Sequence, residues 1–148
     1  MKKLFLIPLA AMTLFACNNA QKSDKTTGEK GSIFYSEYDT PYGTPPFDRI
    51  TEDDYRPAFA YGMEQHLREI DSIANNPQPP TFENTVVALD NSGAILDRVS
   101  AVFFGLEGAE KTDTIEQIAN EITPKLAAHN DDIFLNQQLF NRIKTLYD

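Results

Sequence analysis

Between Thr81 and Ala109 the chain reads TFENTVVALDNSGAILDRVSAVFFGLEGA, and its apolar residues Phe82, Val86, Leu89, Leu96, Val99, Phe103 and Leu106 keep a helical spacing. Steps of this kind leave one face of an α-helix continuously apolar. An unbroken helix here would span about 26 residues, or roughly 39 Å at about 1.5 Å per residue. A small bundle cannot bury that length by itself, so something larger should lie against it. Asp90-Asn91-Ser92-Gly93 are poor helix formers and could equally make a turn between two shorter helices. The apolar phase is the same on both sides of them, which favours one continuous helix, with Gly93 letting another backbone approach.

The N-terminus, MKKLFLIPLAAMTLFAC, has two lysines, an apolar run from Leu4 to Phe15 and a small residue before Cys17. This is the layout of a secretory signal, and the run is shorter than the ~20 residues that a spanning helix needs. Leu14-Phe15-Ala16-Cys17 resembles a bacterial lipobox, although Phe15 is bulkier than usual at its position. On that reading residues 1–16 are removed and Cys17, the one cysteine of the chain, is acylated. Loss of Lys2 and Lys3 makes the mature chain still more acidic than the formal charge of -9, so lipid and not a basic face would hold it to a membrane. The expected location is the bacterial cell envelope, outside the cytoplasm. The same acidity excludes a nucleic-acid partner, since phosphate neutralisation needs clustered Lys and Arg.

Residues 17–32 read as the acylated cysteine and a flexible polar tether. Residues 33–148 read as one helical domain, in a chain whose whole composition, 41% hydrophobic, is globular. In its first part Phe34, Tyr35, Tyr38, Tyr42 and Phe47 stand among prolines, predicting an ordered strap whose aromatics pack on helices. Thr51 to Tyr55 predicts a short capped turn, with a helix starting near Pro57 and burying Phe59, Met63, Leu67, Ile70 and Ile73. Thr81 caps the next helix, with Phe82 as its first buried contact. Gly105 and Gly108 mark its exit, and Asp113 with Glu116 forms a capping-box pattern. The helix that follows buries Ile115, Ile118, Ile122 and Leu126, and Pro124 demands a kink or a stop near Thr123. A last amphipathic helix is capped at Asn136 and carries Leu139, Phe140, Ile143, Leu146 and Tyr147.

Little here suggests chemistry. His66 and Glu69 could share a helical face as half of a metal site, but no second pair completes it, and a zinc site needs three or four converging ligands. His129, beside Asp131 and Asp132, reads as a surface histidine in a polar turn. Glu52, Asp53 and Asp54, like Asp131 and Asp132, read as helix-end charges. No serine has a partnered base in view, so the residues present assign no catalytic, cofactor-binding or metal position.

The segments TPYGTPPFDRI, DYRPAFAYGM, PTFENTVVALDNSGAILDRVSAVFFGL and PKLAAHNDDIFLN together resemble the N-terminal region of thimet-oligopeptidase-type zinc metallopeptidases. The nearest likeness is to the peptidyl-dipeptidase (dipeptidyl carboxypeptidase) and oligopeptidase A branch, and it covers nearly all of the chain from about residue 34. The resemblance implies an all-α N-terminal lobe of a two-lobed enzyme with a deep channel that cleaves short peptides. Zinc would be held there by an H-E-x-x-H helix and a further glutamate, which lie beyond this chain's length. The expectation is therefore an incomplete, inert N-terminal portion that needs its C-terminal catalytic part. The alternatives are a non-catalytic helical lipoprotein that binds peptides or a partner protein, and half of a split enzyme.

Overall fold

The computed structural model describes residues 29–148, so the predicted signal, Cys17 and most of the tether lie outside the described residues. Within them the regular structure is all helical. Helix α1 spans Glu52–Ala74; a π-helical turn, Phe82–Val87, runs into the short α2, Ala88–Asp90; α3 spans Ala94–Ala109, α4 Asp113–Phe134 and α5 Gln137–Tyr147. The hub is α1, which lies along α3 and α4 and meets α5 with its C-terminal half. The Thr81 stretch packs on that hub and does not itself organise the chain.

The continuous helix predicted from Thr81 is two pieces. Thr81 does cap the first: its Oγ1 accepts from the Asn84 amide at 3.1 Å, and Asn84 Oδ1 accepts from the Thr81 amide at 2.8 Å. Thr85 and not Phe82 is the buried contact, Phe82 being 61% exposed. Asn91, Ser92 and Gly93 then form a turn, and Gly93 opens α3 with φ 79°, a left-handed conformation suited to glycine. The backbone approach expected at Gly93 occurs at Gly62 of α1 instead, where a Cβ would stand 3.0 Å from Leu96 Cα. Gly62→Leu should therefore prise α1 from α3 and lower stability by roughly 1–3 kcal/mol, measured by chemical denaturation.

Neither proline marks a helix boundary: Pro57 does not open a helix after a separate turn, and Pro124 does not stop one near Thr123. Pro57 lies inside α1, which begins at Glu52, and Pro124 lies inside α4. Each deprives a carbonyl four residues earlier of its donor, and those carbonyls belong to the solvent-exposed Asp53 and Asn120. Likewise Gly105 and Gly108 fall within α3, and the cap of α4 is Thr112, one residue before Asp113, with its Oγ1 accepting from the Ile115 amide at 3.1 Å. Asn136 caps α5 as predicted, accepting from the Leu139 amide at 3.0 Å.

Two apolar clusters hold the helices together. The larger joins Phe34, Tyr55, Phe59, Val99, Phe103 and Ile118 with their neighbours; the smaller joins Ile70, Ile73, Ile133 and Leu139 at the far end of α1. The strap supplies Phe34 to the first, and its carbonyl accepts from Arg98 Nη1 at 2.8 Å while Tyr35 stacks on Tyr61 at 4.0 Å. Only the first part of the strap packs this way: Tyr42 and Phe47 are exposed. At its start Gly31, assigned to the tether, is buried and donates to Asp54 Oδ1 at 2.9 Å, so ordered contact begins before residue 33. Burial alone would push the Asp54 carboxyl up, but donors from Thr51 and Gly31 outweigh it and hold the carboxyl below its ordinary value.

Candidate functional site

The C-terminal half of α1 and the helices around it enclose a groove of about 400 Å³, lined by His66, Leu89, Ser92, Asn130, Ile133, Phe134, Asn136, Leu139, Phe140 and Ile143. Its lining is mostly apolar, with His66, Ser92, Asn130 and Asn136 as the polar members. His66 reaches the groove from α1, and the 91–93 turn brings Ser92 to it, with Ser92 Oγ 3.1 Å from His66 Nε2. The turn is pinned by the Gly93 amide, which donates to Glu69 Oε2 at 2.7 Å. His129 comes from α4 and places its Nε2 3.0 Å from His66 Nδ1.

This corrects the reading of His129 as a surface residue in a turn. It is 4% exposed, inside α4, as are Asp131 and Asp132. The signal was present in the sequence: Ile115, Ile118, Ile122, Leu126, His129 and Ile133 follow one another at steps of three and four, so His129 sits on the buried stripe.

The hydrogen bonds fix the protons. Ser92 Oγ lies 2.7 Å from the Leu89 carbonyl, which can only accept, so the hydroxyl proton points there. Ser92 Oγ therefore accepts from His66 Nε2–H, which leaves His66 Nδ1 as the acceptor for His129 Nε2–H. His129 Nδ1 is then a bare nitrogen, buried and without a partner. A serine beside a histidine can act as nucleophile and base, but only when its proton faces the imidazole. Here it faces away. Burial lowers the pKa of both rings; Glu69 and Asp97 oppose this at His66, while His66 reinforces it and Asp132 opposes it at His129.

A second polar centre lies close by on α5. Arg142, 8% exposed, donates through Nη1 to the carbonyls of Asn76 (2.8 Å) and Gln78 (3.1 Å) and through Nη2 to Asn84 Oδ1 (3.0 Å). It clamps the ENT segment and the loop before it onto α5. The apolar reading of α5 passed over it, although Arg142 stands three residues from Leu139 on the same face.

The described residues do not fit a zinc site. Among the described residues no group of three or more His, Cys, Asp or Glu could hold a metal ion. Glu69, suggested as a partner of His66, is turned to Gly93, and the two histidines hydrogen-bond each other.

No family model matches the chain. It is similar to dipeptidyl carboxypeptidases. The protein of that name from Escherichia coli (strain K12) is 43% identical over 107 residues, which is 72% of this chain, and the one from Salmonella typhimurium (strain LT2) is equally so. In each case the chain spans 16% of the length of the relative it matches. The likeness supports a relationship to peptidases.

Proposed function

We propose that this chain is the N-terminal part of a lipid-anchored peptidyl-dipeptidase of the thimet-oligopeptidase type, and that it is inert without the part that carries the zinc-binding helix. One observation carries this reading: identity of 43% over 72% of the chain, confined to 16% of the relatives' length. What matches is thus a helical piece of a much larger enzyme. Its role in that enzyme is to help wall a channel for short peptides, and the exposed apolar face of α4 and α5 is where the remainder packs. Cys17, joined to lipid, holds the assembly in the bacterial envelope, with the polar stretch that follows it as the tether.

The direct test mixes the chain with a quenched short peptide and zinc. No turnover is expected alone, and turnover is expected when a dipeptidyl carboxypeptidase lacking the matching N-terminal region is added. Chelator-sensitive hydrolysis by the chain alone would sink the claim of inertness. Mass spectrometry of membrane-extracted protein checks the anchor: an unmodified Cys17 still preceded by residues 1–16 would refute it.

A further inference from the structure

We propose that His66 and His129 form a latch between α1 and α4 that accommodates one added proton but not two, so that acidification releases the seam beside the groove. The inference stands on the hydrogen-bond geometry and does not depend on the peptidase reading. In the neutral pair, His129 Nε2–H donates to His66 Nδ1 at 3.0 Å, and His66 Nε2–H donates to Ser92. The one basic nitrogen left without a donor is His129 Nδ1, so the first proton goes there. That step leaves the His129–His66 hydrogen bond intact. It does place a charged N–H in a buried position with no acceptor, which is unfavourable and delays protonation. A second proton can go only to His66 Nδ1, whose lone pair is already engaged. Two N–H groups would then point at each other across 3.0 Å, and the rings must part.

The surrounding charges temper this without removing it. Glu69 of α1 and Asp97 of α3 favour a proton on His66, and Asp132 of α4 favours one on His129. Glu69 holds the Gly93 amide through Oε2 and makes no hydrogen bond to His66, so it favours a proton there through its charge alone. Release of the latch therefore loosens α4 from α1 and unpins Ser92 together, reshaping the groove they line.

The sign follows from the lowered pKa values. Histidines that bind protons less readily folded than unfolded stabilise the fold fully above the ordinary value of 6.5, and that contribution is lost as the pH falls below it. The test uses the full chain, in detergent micelles if it is acylated, with ¹⁵N-labelled imidazoles followed from pH 8 to pH 4. The expected result is both rings in the Nε2–H form at high pH. Two macroscopic steps should follow, separated by more than about 1 pH unit, the first reported at His129 Nδ1. Amide protection in α4 around residue 129 should fall about tenfold or more only across the second step. His129→Gln, which keeps an N–H donor for His66 Nδ1 and cannot take up a proton, should keep α4 protected across that range. If this variant fails to fold, the imidazole titration of the unaltered chain still decides the matter. Two independent titrations near 6.5 with unchanged protection, or a neutral His129 carrying its proton on Nδ1, would overturn the proposal.

Discussion

Arg142→Met should destabilise the fold by about 3 kcal/mol, and Arg142→Lys by somewhat less, although both keep much of the side chain's volume. The guanidinium is almost wholly buried and satisfies two backbone carbonyls and the side-chain oxygen of Asn84. Hydrogen bonds from a charged donor contribute roughly 1.5–3 kcal/mol each, and an acceptor left bare in a buried site costs about 1–3 kcal/mol. Against this stands the desolvation of a cation with no carboxylate among its hydrogen-bond partners, which methionine removes and which keeps the net effect well below the sum. Lysine offers three donors from a single point and cannot span oxygens that Arg142 reaches with two separate nitrogens. The loss should be local before it is global. Asn84 Oδ1 also accepts from the Thr81 amide and the Thr85 hydroxyl, so the cap survives while residues 76–78 come free of α5. Hydrogen exchange of the 75–85 segment, compared with that of the α1–α3 core, separates these two effects; uniform loss of protection would show that Arg142 supports the whole fold and not this junction.

That junction also marks the limit of what the sequence discloses. The buried stripe of α1 is legible at Phe59, Ile70 and Ile73 because burial there repeats with the helix itself. The break after Asp90 is not. The π-helical turn and the 91–93 turn separate Leu89, which packs against the smaller cluster, from Leu96, which is buried in the larger one. A shared apolar phase therefore shows that both segments have a face to bury and says nothing about continuity. The His66–His129 contact was out of reach for another reason. It joins residues 63 apart, and only the path of the chain through α3 brings them together. The stripe on α4 could have shown His129 to be buried, but not what it faces. The unexpectedly exposed aromatics Tyr42, Phe47 and Phe82 share one lesson with the end of the chain: apolar character in a sequence identifies a surface to be covered, and the cover need not lie within the same 120 residues.

The isolated chain should self-associate through its exposed apolar end, and Phe134→Asp combined with Phe140→Asp should make it monomeric with its thermal transition little changed. Phe134 is 82% exposed and Tyr147 91%, and Leu135, Phe140, Ile143 and Leu146 are exposed beside them along the end of α4 and the outer face of α5. Apolar area on this scale, rimmed by the polar residues of the groove, is held apart from water only by association, at roughly 25 cal/mol per Å² buried. Because the two phenylalanines already face solvent in the folded chain, charging them removes little folding energy, and surface changes of that kind usually stay within about 0.5 kcal/mol. Association should weaken by about a hundredfold or more, since each contact would bury a carboxylate without a partner. Analytical ultracentrifugation with a parallel thermal melt reads both quantities. The same two substitutions should abolish the recovery of activity expected when the truncated peptidase is supplied, because the exposed face they charge is the one proposed to receive the rest of the enzyme. A double variant that still complements would separate the two surfaces and move the docking face elsewhere, while one that melts early would show Phe134 and Phe140 to be part of the core after all.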